Sequence, residues 1–416
     1  MAMIYDTLII GAGAAGLAAA RELQAAGQSI CVLEARNRVG GRIVTDRTYG
    51  PVELGAEFVH GDRACTWEEI RAAGLRTRPW GSKRRFARGG RLLPPDDPII
   101  ARTYTLYELA NTYTGPEISV ADLLAGHAAP GDPALGFALR WLANLEAADP
   151  AHLSATALAR ERADSHNGVG NFHLLDGYDC LTTHMAVGVP VRLNTPVARL
   201  IWRPGSVVAR MARGEVLEAR RALITVPAGV LRAGRPAFNP PLPADRLAAL
   251  GAIGVGHVTK LVLWFERRLW PEFTVLSTDG QIATWWPVPG ARTPTLMGYV
   301  GGPAALRLAN HGESGAIAIG LAELTMLFGD AVRSACLGGR LADWSRDPWS
   351  LGAYTYSPVG MGDARAILAA PLAATLYFAG EATVTGGHIA TVHGAIESGR
   401  RAAAAILADG PIPTNF

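Results

Sequence analysis

The first 34 residues constrain the fold of this chain more than any other part. A short apolar run from Thr7 to Ile10 is typical of a strand buried in a parallel sheet. A Gly-x-Gly-x-x-Gly loop follows at once, and an Ala-rich stretch from Leu17 to Gln24 then favours a helix. Gly27 is placed to end that helix, and Ser29 to Leu33 predicts a second strand. This order indicates a βαβ unit of a doubly wound α/β domain.

The glycines of this loop have separate roles in a nucleotide-binding turn. Gly11 permits the tight turn, Gly13 lets the backbone approach a pyrophosphate, and Gly16 lets helix and strand pack closely. The helix N-terminus then offers free N–H groups and a positive dipole to the phosphates. Glu34 lies 23 positions after Gly11, near the spacing at which a carboxylate accepts from a ribose hydroxyl. These residues predict a dinucleotide cofactor, with Ala/Gly packing as the alternative, but they do not distinguish NAD from FAD.

The residues after Glu34 make that distinction. The run from Glu34 to Arg42 reads EARNRVGGR, and it resembles the extended fingerprint of the flavin amine oxidase family. The resemblance implies FAD, with arginines that pair with adenylate phosphates and a Gly40-Gly41 pair that lets the chain pass close to the cofactor. For Arg36 and Arg38 the alternative is a surface salt bridge, whereas for Arg42 the cofactor contact is favoured.

The C-terminal part of the chain returns to the same cofactor. An apolar strand from Leu376 to Phe378 leads into Gly380-Glu381, and ATVHGAIESGRR, from Ala390 onward, precedes an Ala-rich helix that ends near Gly410. This arrangement resembles the C-terminal flavin motif of the family. The resemblance assigns phosphate and ribityl contacts to Gly380-Glu381. It also aims a helix that starts near Thr391 at the flavin pyrimidine edge, where its dipole would stabilise the reduced anion.

The domain division follows from the same resemblance. Leu193 to Val197 resembles the family strand whose valine touches adenine, and Arg221 to Val226 with Pro227 resembles the next strand. Alternation from Val258 to Phe265 predicts a strand outside the cofactor domain. We predict an α/β protein in which a Rossmann-like FAD-binding domain with a parallel sheet is interleaved with an α+β substrate-binding domain. The FAD-binding domain would comprise residues 1–80, 170–235 and 340–416, and the substrate-binding domain residues 81–169 and 236–339.

Lys260 is the leading candidate on the substrate side. It lies in the apolar run from Val258 to Phe265, where a lysine either extends to the surface or is retained for function. The family has a lysine at this place, held through a water to flavin N5. The resemblance therefore favours the functional interpretation.

Aromatic residues near Ala353 suggest how an amine would be held. In monoamine oxidases, the residue before the aromatic-cage tyrosine is a cysteine bonded to flavin. Here that residue is Ala353, which predicts noncovalent FAD. By the same resemblance, Tyr354 presents an aromatic face to the amine and Trp344 borders the flavin. Ordinary core packing is the alternative for both aromatics.

Two further positions point toward longer amines. Thr391 stands at the second cage position, where monoamine oxidases have tyrosine, and its surroundings resemble lysine-specific histone demethylases and polyamine oxidases. His60, in GAEFVHG, takes the place of a substrate-proximal histidine in polyamine oxidases of animals and fungi, and backbone capping is the alternative. Phe58 stands where L-amino acid oxidases carry a carboxylate-binding arginine, which argues against an amino-acid substrate.

The resemblance thus assigns two sets of site residues. The catalytic set is Lys260, His60, Tyr354, Thr391 and Trp344. The cofactor-binding set is Gly11, Gly13, Ala15, Gly16, Glu34, Ala35, Arg36, Gly40, Gly41, Arg42, Gly55, Ala56, Glu57, Phe58, Val197, Pro227, Gly380, Glu381, Ala390, Thr391 and Val392.

Charge and cysteine usage limit the partners and the compartment. The net charge of +3 favours neither nucleic acid nor a membrane as a partner. The four cysteines show no CxxC or zinc spacing, so we predict no metal site and a reducing compartment. No secretion signal and no long uncharged apolar run are present, so we expect a cytoplasmic protein, compatible with a homodimer. The basic stretch from Lys83 to Arg91, around Gly89-Gly90, predicts a solvated hairpin rather than a binding patch.

The combined prediction is an FAD-dependent oxidase of a primary or secondary amine or a polyamine. Its product would be an imine and then an aldehyde, with O2 reduced to H2O2. One alternative is an L-amino-acid oxidase or a flavin desaturase or isomerase acting on a carotenoid or porphyrinogen, since these share the N-terminal fingerprint. A non-enzyme alternative is a catalytically silent, FAD-bound interaction module.

Overall fold

The computed structural model describes residues 4–410, which form two large β-sheets with helices packed on them. The helices are α1 (Ala14–Ala25), α2 (Thr66–Ala72), α3 (Pro98–Asn111), α4 (Val120–Gly126), α5 (Pro133–Glu146), α6 (Ala155–Ala163), α7 (Asp179–Met185), α8 (Ala228–Arg232), α9 (Ala244–Ala252), α10 (Pro303–Asn310), α11 (Gly312–Phe328), α12 (Ala331–Ser334), α13 (Ala364–Ala369) and α14 (Val392–Ala408), with a 3-10 helix at Glu381–Thr383. The strands are β1 (Ile4–Ile10), β2 (Ile30–Leu33), β3 (Thr45–Asp46), β4 (Val52–Glu53), β5 (Phe58–His60), β6 (Thr77–Pro79), β7 (Arg84–Arg88), β8 (Arg91–Leu92), β9 (Asn171–Leu174), β10 (Val191–Arg192), β11 (Val197–Arg203), β12 (Ser206–Met211), β13 (Val216–Ile224), β14 (Ala237–Asn239), β15 (Gly254–Val255), β16 (Val258–Phe265), β17 (Val275–Thr278), β18 (Thr284–Pro287), β19 (Thr295–Gly301), β20 (Cys336–Asp343), β21 (Thr355–Tyr356) and β22 (Leu376–Phe378).

The first large sheet is built from both ends of the chain and from its middle. Its strands run in the order β10-β2-β1-β13-β12-β11-β14, and β22 also pairs with β13. The strands β10, β2, β1, β13 and β22 are parallel to one another, whereas β12 runs antiparallel to β11 and β13. In β1, Ile9 lies opposite Val32 on one side and Leu223 on the other. The predicted parallel, Rossmann-like sheet and its first βαβ unit are confirmed.

Helices cover both faces of this sheet, as its doubly apolar strands require. α1 and α14 pack on one face, where Leu17 and Ala403 are fully buried. α9 and α13 contribute Leu250 and Leu368 to the core on the other face. A Cβ at Gly399 of α14 would lie 2.2 Å from the carbonyl oxygen of Ala15 in α1. This crossing of the N-terminal and C-terminal helices therefore depends on a residue without a Cβ.

The second large sheet is antiparallel except at one pair. Its order is β20-β16-β19-β18-β17-β7-β8, and only β17 and β7 run parallel. β16 is buried along its whole length, which confirms the predicted strand and shows that both of its faces are covered. β7 and β8 form the predicted hairpin around Gly89-Gly90, in which Arg84, Arg88 and Arg91 are exposed.

Helices α3 to α6 form a separate layer with a core of its own around Leu142 and Leu158. Asn144 of α5 ties this layer to the second sheet. Its Nδ2 donates to Thr284 Oγ1 at 2.9 Å, and its Oδ1 accepts from the backbone N–H of Gly301 at 2.8 Å. A buried amide satisfied on both sides fixes the position of the layer.

Strand pairing differs from the predicted domain division at two borders. β14 pairs with β11 in the first sheet, although residues 236–339 are predicted to build the substrate domain. β20 begins at Cys336 and pairs with β16 in the second sheet, although residues 340–416 are predicted to belong to the FAD-binding domain. Motif resemblance does not detect the pairing of short strands, so the division stays a prediction, with borders better placed after α9 and after β20.

Within residues 4–410, no helix is both long and apolar enough to cross a lipid bilayer. No group of three or more His, Cys, Asp or Glu side chains in that range has an arrangement suited to a metal ion. The four cysteines are free thiols.

Candidate active site

Glycines line an open space where β1 meets α1. Gly11 has a φ of +114°, and a Cβ at Gly16 would lie only 2.0 Å from the carbonyl oxygen of Gly11. A Cβ at Gly13 would instead meet no atom within 4 Å, and one at Gly41 would meet only the Cα of Gly13, at 3.6 Å. Gly13 is the N-cap of α1 and provides no capping side chain. We call this space, with the uncapped N-terminus of α1, the glycine cradle. The open side at Gly13 and the free backbone N–H groups of the helix N-terminus fit a pyrophosphate.

Glu34 is locked against this loop at the end of β2. Its carboxylate is buried and accepts from the backbone N–H groups of Ala12 and Arg36, both at 2.8 Å. The backbone carbonyl of Glu34 accepts from the backbone N–H of Thr195 at 2.8 Å. This hydrogen bond places the segment before Val197 beside the end of β2. Ala35, between the two motifs, is half-buried. The acid is therefore held where the family fingerprint predicts a ribose contact.

The three predicted arginines have different partners. Arg36 makes a bidentate ion pair with Asp347, at 2.8 and 2.6 Å. Burial alone would raise the pKa of Asp347, but the Arg36 guanidinium outweighs this effect and holds that pKa below its usual value. Arg38 donates to the backbone carbonyls of Val39, Gly41 and Ile43. Arg36 thus forms an ion pair and Arg38 supports the loop through backbone carbonyls, and a contact of either with the cofactor stays a prediction.

Gly40 and Arg42 connect this loop to the rest of the site. The N–H of Gly40, which has a φ of +97°, donates to the carbonyl of Ala12 at 2.9 Å. Arg42 donates to Glu381 at 2.9 Å and to the backbone carbonyl of Ala353. The N-terminal and C-terminal motifs thus meet directly through a charge-assisted hydrogen bond.

Gly380 and Glu381 complete the cradle from the C-terminal side. Gly380 has a φ of +120°, and a Cβ there would meet no atom within 4 Å. Burial opposes ionisation of Glu381, but Arg42 and the hydrogen bond from Thr355 outweigh it and hold its pKa below the usual range. Pro227, the N-cap of α8, lines the same small cavity as Arg42 and Gly380. The structure therefore brings these predicted cofactor residues together.

The turn after β4 carries four more predicted residues. A Cβ at Gly55 would lie 1.9 Å from the carbonyl oxygen of Arg42, to which Ala56 donates its N–H at 3.1 Å. Glu57 is buried, and Phe58 is half-buried at the start of β5. This turn links the glycine cradle to the second sheet.

Lys260 is buried on β16 and does not extend to the surface. Only 3% of the residue is exposed. Its Nζ donates to Glu57 Oε2 at 2.7 Å, to the carbonyl of Glu53 at 3.0 Å and to the carbonyl of Gly55 at 2.9 Å. The predicted water-mediated role toward flavin N5 remains a prediction, since the protein itself accepts from all three ammonium hydrogens.

Half-buried and buried aromatic rings surround Lys260. Tyr299 lies directly opposite Lys260 across the β16–β19 pair, and its hydroxyl lies 2.8 Å from that of Tyr354. Tyr354 also donates to the carbonyl of Leu145 at 2.9 Å, so its hydroxyl is anchored to the helical layer. We use the name aromatic wall for Phe58, Trp80, Trp286, Tyr299 and Tyr354. The first four rings contact one another at centroid distances of 4.6 to 6.0 Å, and Tyr354 joins them through its hydroxyl contact with Tyr299.

Trp344 and Ala353 lie beside this wall. Trp344 donates its indole N–H to the carbonyl of Leu54 at 2.8 Å and packs against Gly55. It shares a small buried cluster with Ala353, Tyr299 and Tyr354. The structure therefore places Trp344 and Tyr354 together, at the junction of the wall and the turn after β4.

His60 ends β5, and its ring lies 6.0 Å from that of Phe58 in the aromatic wall. Its Nδ1 lies 2.7 Å from Asn171 Oδ1, so Nδ1 carries the proton in this pair. Desolvation by the surrounding protein lowers its pKa, and Arg162 adds to the effect, although the hydrogen bond to Asn171 opposes it. His60 is nevertheless exposed to solvent, as a side chain on the wall of a cleft would be. A neutral imidazole follows at pH 7.

Thr391 is the N-cap of α14. Its hydroxyl accepts from the N–H of Gly394 at 3.0 Å and donates to the carbonyl of His388 at 2.7 Å. Ala390 before it has a φ of +59°, a left-handed conformation that costs about 1 kcal/mol for alanine. Val392 begins the helix. The predicted helix start is confirmed, and the catalytic role of Thr391 stays a prediction because its hydroxyl is used in capping.

Acidic residues near His60 are already paired. Glu69 accepts from Arg21 at 2.5 Å, and Glu68 lies 2.8 Å from Arg400. Asp62 accepts from the N–H of Val169 at 3.1 Å. Each of these carboxylates, which follow His60 in the sequence, therefore has a partner within the protein.

Sequence reasoning did not find the partners of Lys260. Glu57 was predicted only as a cofactor contact, and Trp286, Tyr299 and Trp80 were not predicted at all. The Trp285-Trp286 pair and the apolar run of β19 were visible signals for strands. Which side chains face Lys260 depends on strand register, and a single sequence does not specify that register.

Similarity to known proteins extends over nearly the whole chain. The family described as flavin containing amine oxidoreductase matches residues 14–104 and 117–407. The chain is 28% identical to human Lysine-specific histone demethylase 2 over 97% of its own length, and it spans only 53% of that protein. It is 30% identical to Probable polyamine oxidase 4 of Arabidopsis thaliana, covering 95% of this chain and 85% of that protein. The structure of cyclohexylamine oxidase from Brevibacterium oxydans matches with a TM-score of 0.83 at 24% identity, over 98% of this chain and 99% of that one, which shows a shared fold.

Proposed function

The chain belongs to the family of flavin-containing amine oxidoreductases, and from that premise we propose that it is an FAD-dependent oxidase of primary or secondary amines. The reaction oxidises the C–N bond to an imine, which water converts to an aldehyde. Bound FAD supplies the acceptor for the hydride equivalent and passes the electrons to O2, giving H2O2. The residues of the chain bind and orient the amine and keep water away from it.

The observation that carries this proposal is the burial of Lys260 beside the turn after β4. A buried ammonium is costly and is retained where it has a task. Lys260 lies between the aromatic wall and a turn whose Gly55 touches Arg42 of the cradle. This position supports a role at the junction of cofactor and substrate.

The glycine cradle, Arg42 and Glu381 would hold FAD without a covalent bond. The residue before Tyr354 is Ala353, which is buried and has no thiol for a flavin linkage. Acid precipitation of the yellow protein should therefore release the flavin into the supernatant. Flavin that remains in the pellet after denaturation would contradict noncovalent binding.

The aromatic wall favours an amine with an apolar body. Aromatic faces bind apolar groups and also stabilise a nearby ammonium. The acids Glu68 and Glu69 are engaged by arginines, so they offer little to a second or third amino group. We therefore propose cyclic, aromatic or alkyl monoamines as substrates, beside the longer amines that Thr391 and His60 indicate.

A screen of mono-, di- and polyamines and amino acids, with detection of peroxide, tests the proposal on FAD-loaded protein. We expect apolar monoamines to give the highest kcat/KM. Lys260→Met should slow flavin reduction by the best amine under anaerobic conditions, and an unchanged rate would remove Lys260 from the proposed site.

The same screen separates the alternatives. Activity confined to amino acids would favour an L-amino-acid oxidase. If no amine bleaches the flavin without oxygen, the amine oxidase proposal fails, and a desaturase or an FAD-bound interaction module takes its place.

A further inference from the structure

We propose that Glu57 is a positioning residue for Lys260: its carboxylate balances the buried ammonium and fixes its direction at the junction of cradle and wall. This inference rests on the proposed amine oxidation, because it assigns Glu57 a task in that site. The sequence-based expectation that Glu57 contacts the cofactor stays a prediction beside it.

The burial of the pair is the first step. Only 3% of each side chain is exposed, and the atoms Lys260 Nζ and Glu57 Oε2 lie 2.7 Å apart. An isolated charge at such a place would be strongly unfavourable, and removing one partner of a buried pair leaves the other uncompensated. The two side chains therefore form one unit.

No other group within residues 4–410 balances this ammonium. Glu53 is near, but burial raises the pKa of its carboxyl to about 8, so it is largely protonated at neutral pH. His173 Nδ1 lies 3.7 Å from Glu57 Oε1, and burial lowers the pKa of His173 to about 4, so the imidazole is neutral. Among the described residues, Glu57 thus has Lys260 as its only cationic partner at 4 Å or less.

The geometry of the pair is fully specified. An ammonium has three hydrogens, and Lys260 uses them on Glu57, on the carbonyl of Glu53 and on the carbonyl of Gly55. The second oxygen of Glu57 accepts from the indole N–H of Trp286 at 2.8 Å. The carboxylate is therefore held by the aromatic wall on one side and holds the ammonium on the other.

This arrangement links three parts of the site. Trp286 packs on Tyr299 at 5.5 Å, and the ammonium lies 6.0 Å from the centre of the Trp286 ring. Gly55 belongs to the turn that contacts Arg42 of the cradle. A change at Glu57 would consequently alter both the local charge and the position of Lys260.

The test uses Glu57→Gln, Lys260→Met and the double variant in FAD-loaded protein. Glu323→Gln is the matched control, since Glu323 is a half-buried carboxylate that accepts from the backbone N–H groups of Gln281 and Ile282 in the loop between β17 and β18. Three quantities are measured: the anaerobic rate of flavin reduction by the best amine, the reduction potential of the bound flavin, and the melting temperature.

We expect Glu57→Gln to slow flavin reduction on the order of 100-fold, because the ammonium is no longer held in place. The reduction potential should rise in Glu57→Gln, where the positive charge loses its counter-charge, and fall in Lys260→Met, where the negative charge remains. The double variant should have a reduction potential near that of the wild type. Its flavin should be reduced at least as fast as in the slower of the two single variants. Glu323→Gln should leave rate and potential unchanged.

A wild-type rate and potential in Glu57→Gln would overturn the inference, and so would a potential that falls in both single variants. The melting temperature tests the pair without any substrate: each single variant should melt below the double variant, since only the singles bury an unpaired charge. If the wild-type flavin is not reduced by any amine, the proposed function fails, while the potential and melting measurements still decide whether Glu57 and Lys260 act as a unit.

Discussion

The glycine cradle depends on residues without side chains, whereas the aromatic wall depends on contacts between side chains of strands that are far apart in the sequence. The cradle needs backbone amides close to a ligand, so a Cβ at Gly13 would occupy open space and one at Gly16 would strike the chain. The wall needs a buried ammonium, a carboxylate and rings in fixed contact. Adding an atom should damage the first region, and removing one should damage the second.

Gly16→Ala should have the largest effect. Its Cβ would lie 2.0 Å from the carbonyl oxygen of Gly11, and backbone cannot move away without opening the βα turn. We expect little soluble, FAD-loaded protein. Gly13→Ala adds a Cβ into open space, so it should fold and bind FAD more weakly, as measured by flavin content and melting temperature.

Gly136→Ala is the matched control for both variants, because Gly136 lies in α5 with no atom within 4 Å of an added Cβ. It should fold and retain its flavin. Equal FAD affinity in Gly13→Ala and Gly136→Ala would contradict the assignment of the cradle to the cofactor.

Glu53→Gln tests the surroundings of Lys260 through the pH dependence of protein stability. Burial raises the pKa of Glu53 to about 8 in the folded protein, against 4.5 for an ordinary glutamate. The folded state therefore keeps a proton that the unfolded chain releases, so stability falls as pH rises from about 4.5 to about 8. Glutamine removes this loss. The free energy of unfolding of the variant, relative to that of the wild type, should therefore be higher at pH 8 than at pH 5 by on the order of 3 kcal/mol.

Denaturant unfolding at pH 5 and pH 8 measures that difference. Tyr178 donates its N–H to Glu53 at 2.9 Å, and glutamine keeps an acceptor for it. Parallel pH profiles for variant and wild type would show that Glu53 is ionised in the folded protein.

Thr391→Ala tests a position where a side chain serves the backbone. The hydroxyl caps α14 through the N–H of Gly394, and loss of such a cap costs about 1 kcal/mol. Thr391→Ser keeps the hydroxyl and should retain most of the stability. If serine and alanine variants are equally stable but both lose activity, Thr391 acts on the substrate rather than as a cap.

Tyr354→Phe should have the smallest effect. It removes the hydrogen bonds to Tyr299 and Leu145 but keeps the aromatic face. We expect kcat/KM for the best amine to fall about 5-fold or less, which corresponds to one hydrogen bond of about 1 kcal/mol. Tyr354→Leu, which removes the ring as well, should cost more, and equal losses would show that the ring itself contributes nothing.

The two regions also differ in how well the sequence predicts them. The turn at Gly11 to Gly16, Glu34 and the strand β16 are local patterns, so their structures could be predicted. The contact between Lys260 and Glu57 joins residues 203 positions apart, and the pair of Arg36 and Asp347 spans 311. Such contacts depend on register and on packing between sheets, which local patterns do not determine. The sequence therefore places Arg36 in its motif but does not predict Asp347 as its partner.

The close crossing of α1 and α14 has a consequence for synthesis of the chain. α1, at Ala14–Ala25, is synthesised long before α14, at Val392–Ala408, which covers the same face of the sheet. Until α14 is made, Leu17, Leu23 and their neighbours lack the part of the core that Ile396, Ala402, Ala403 and Ile406 provide. A nascent chain that lacks α14 exposes apolar surface of the kind that makes folding intermediates prone to aggregation. Because Arg42 meets Glu381 in the finished site, a flavin that needs both motifs would bind only after Glu381 has been synthesised.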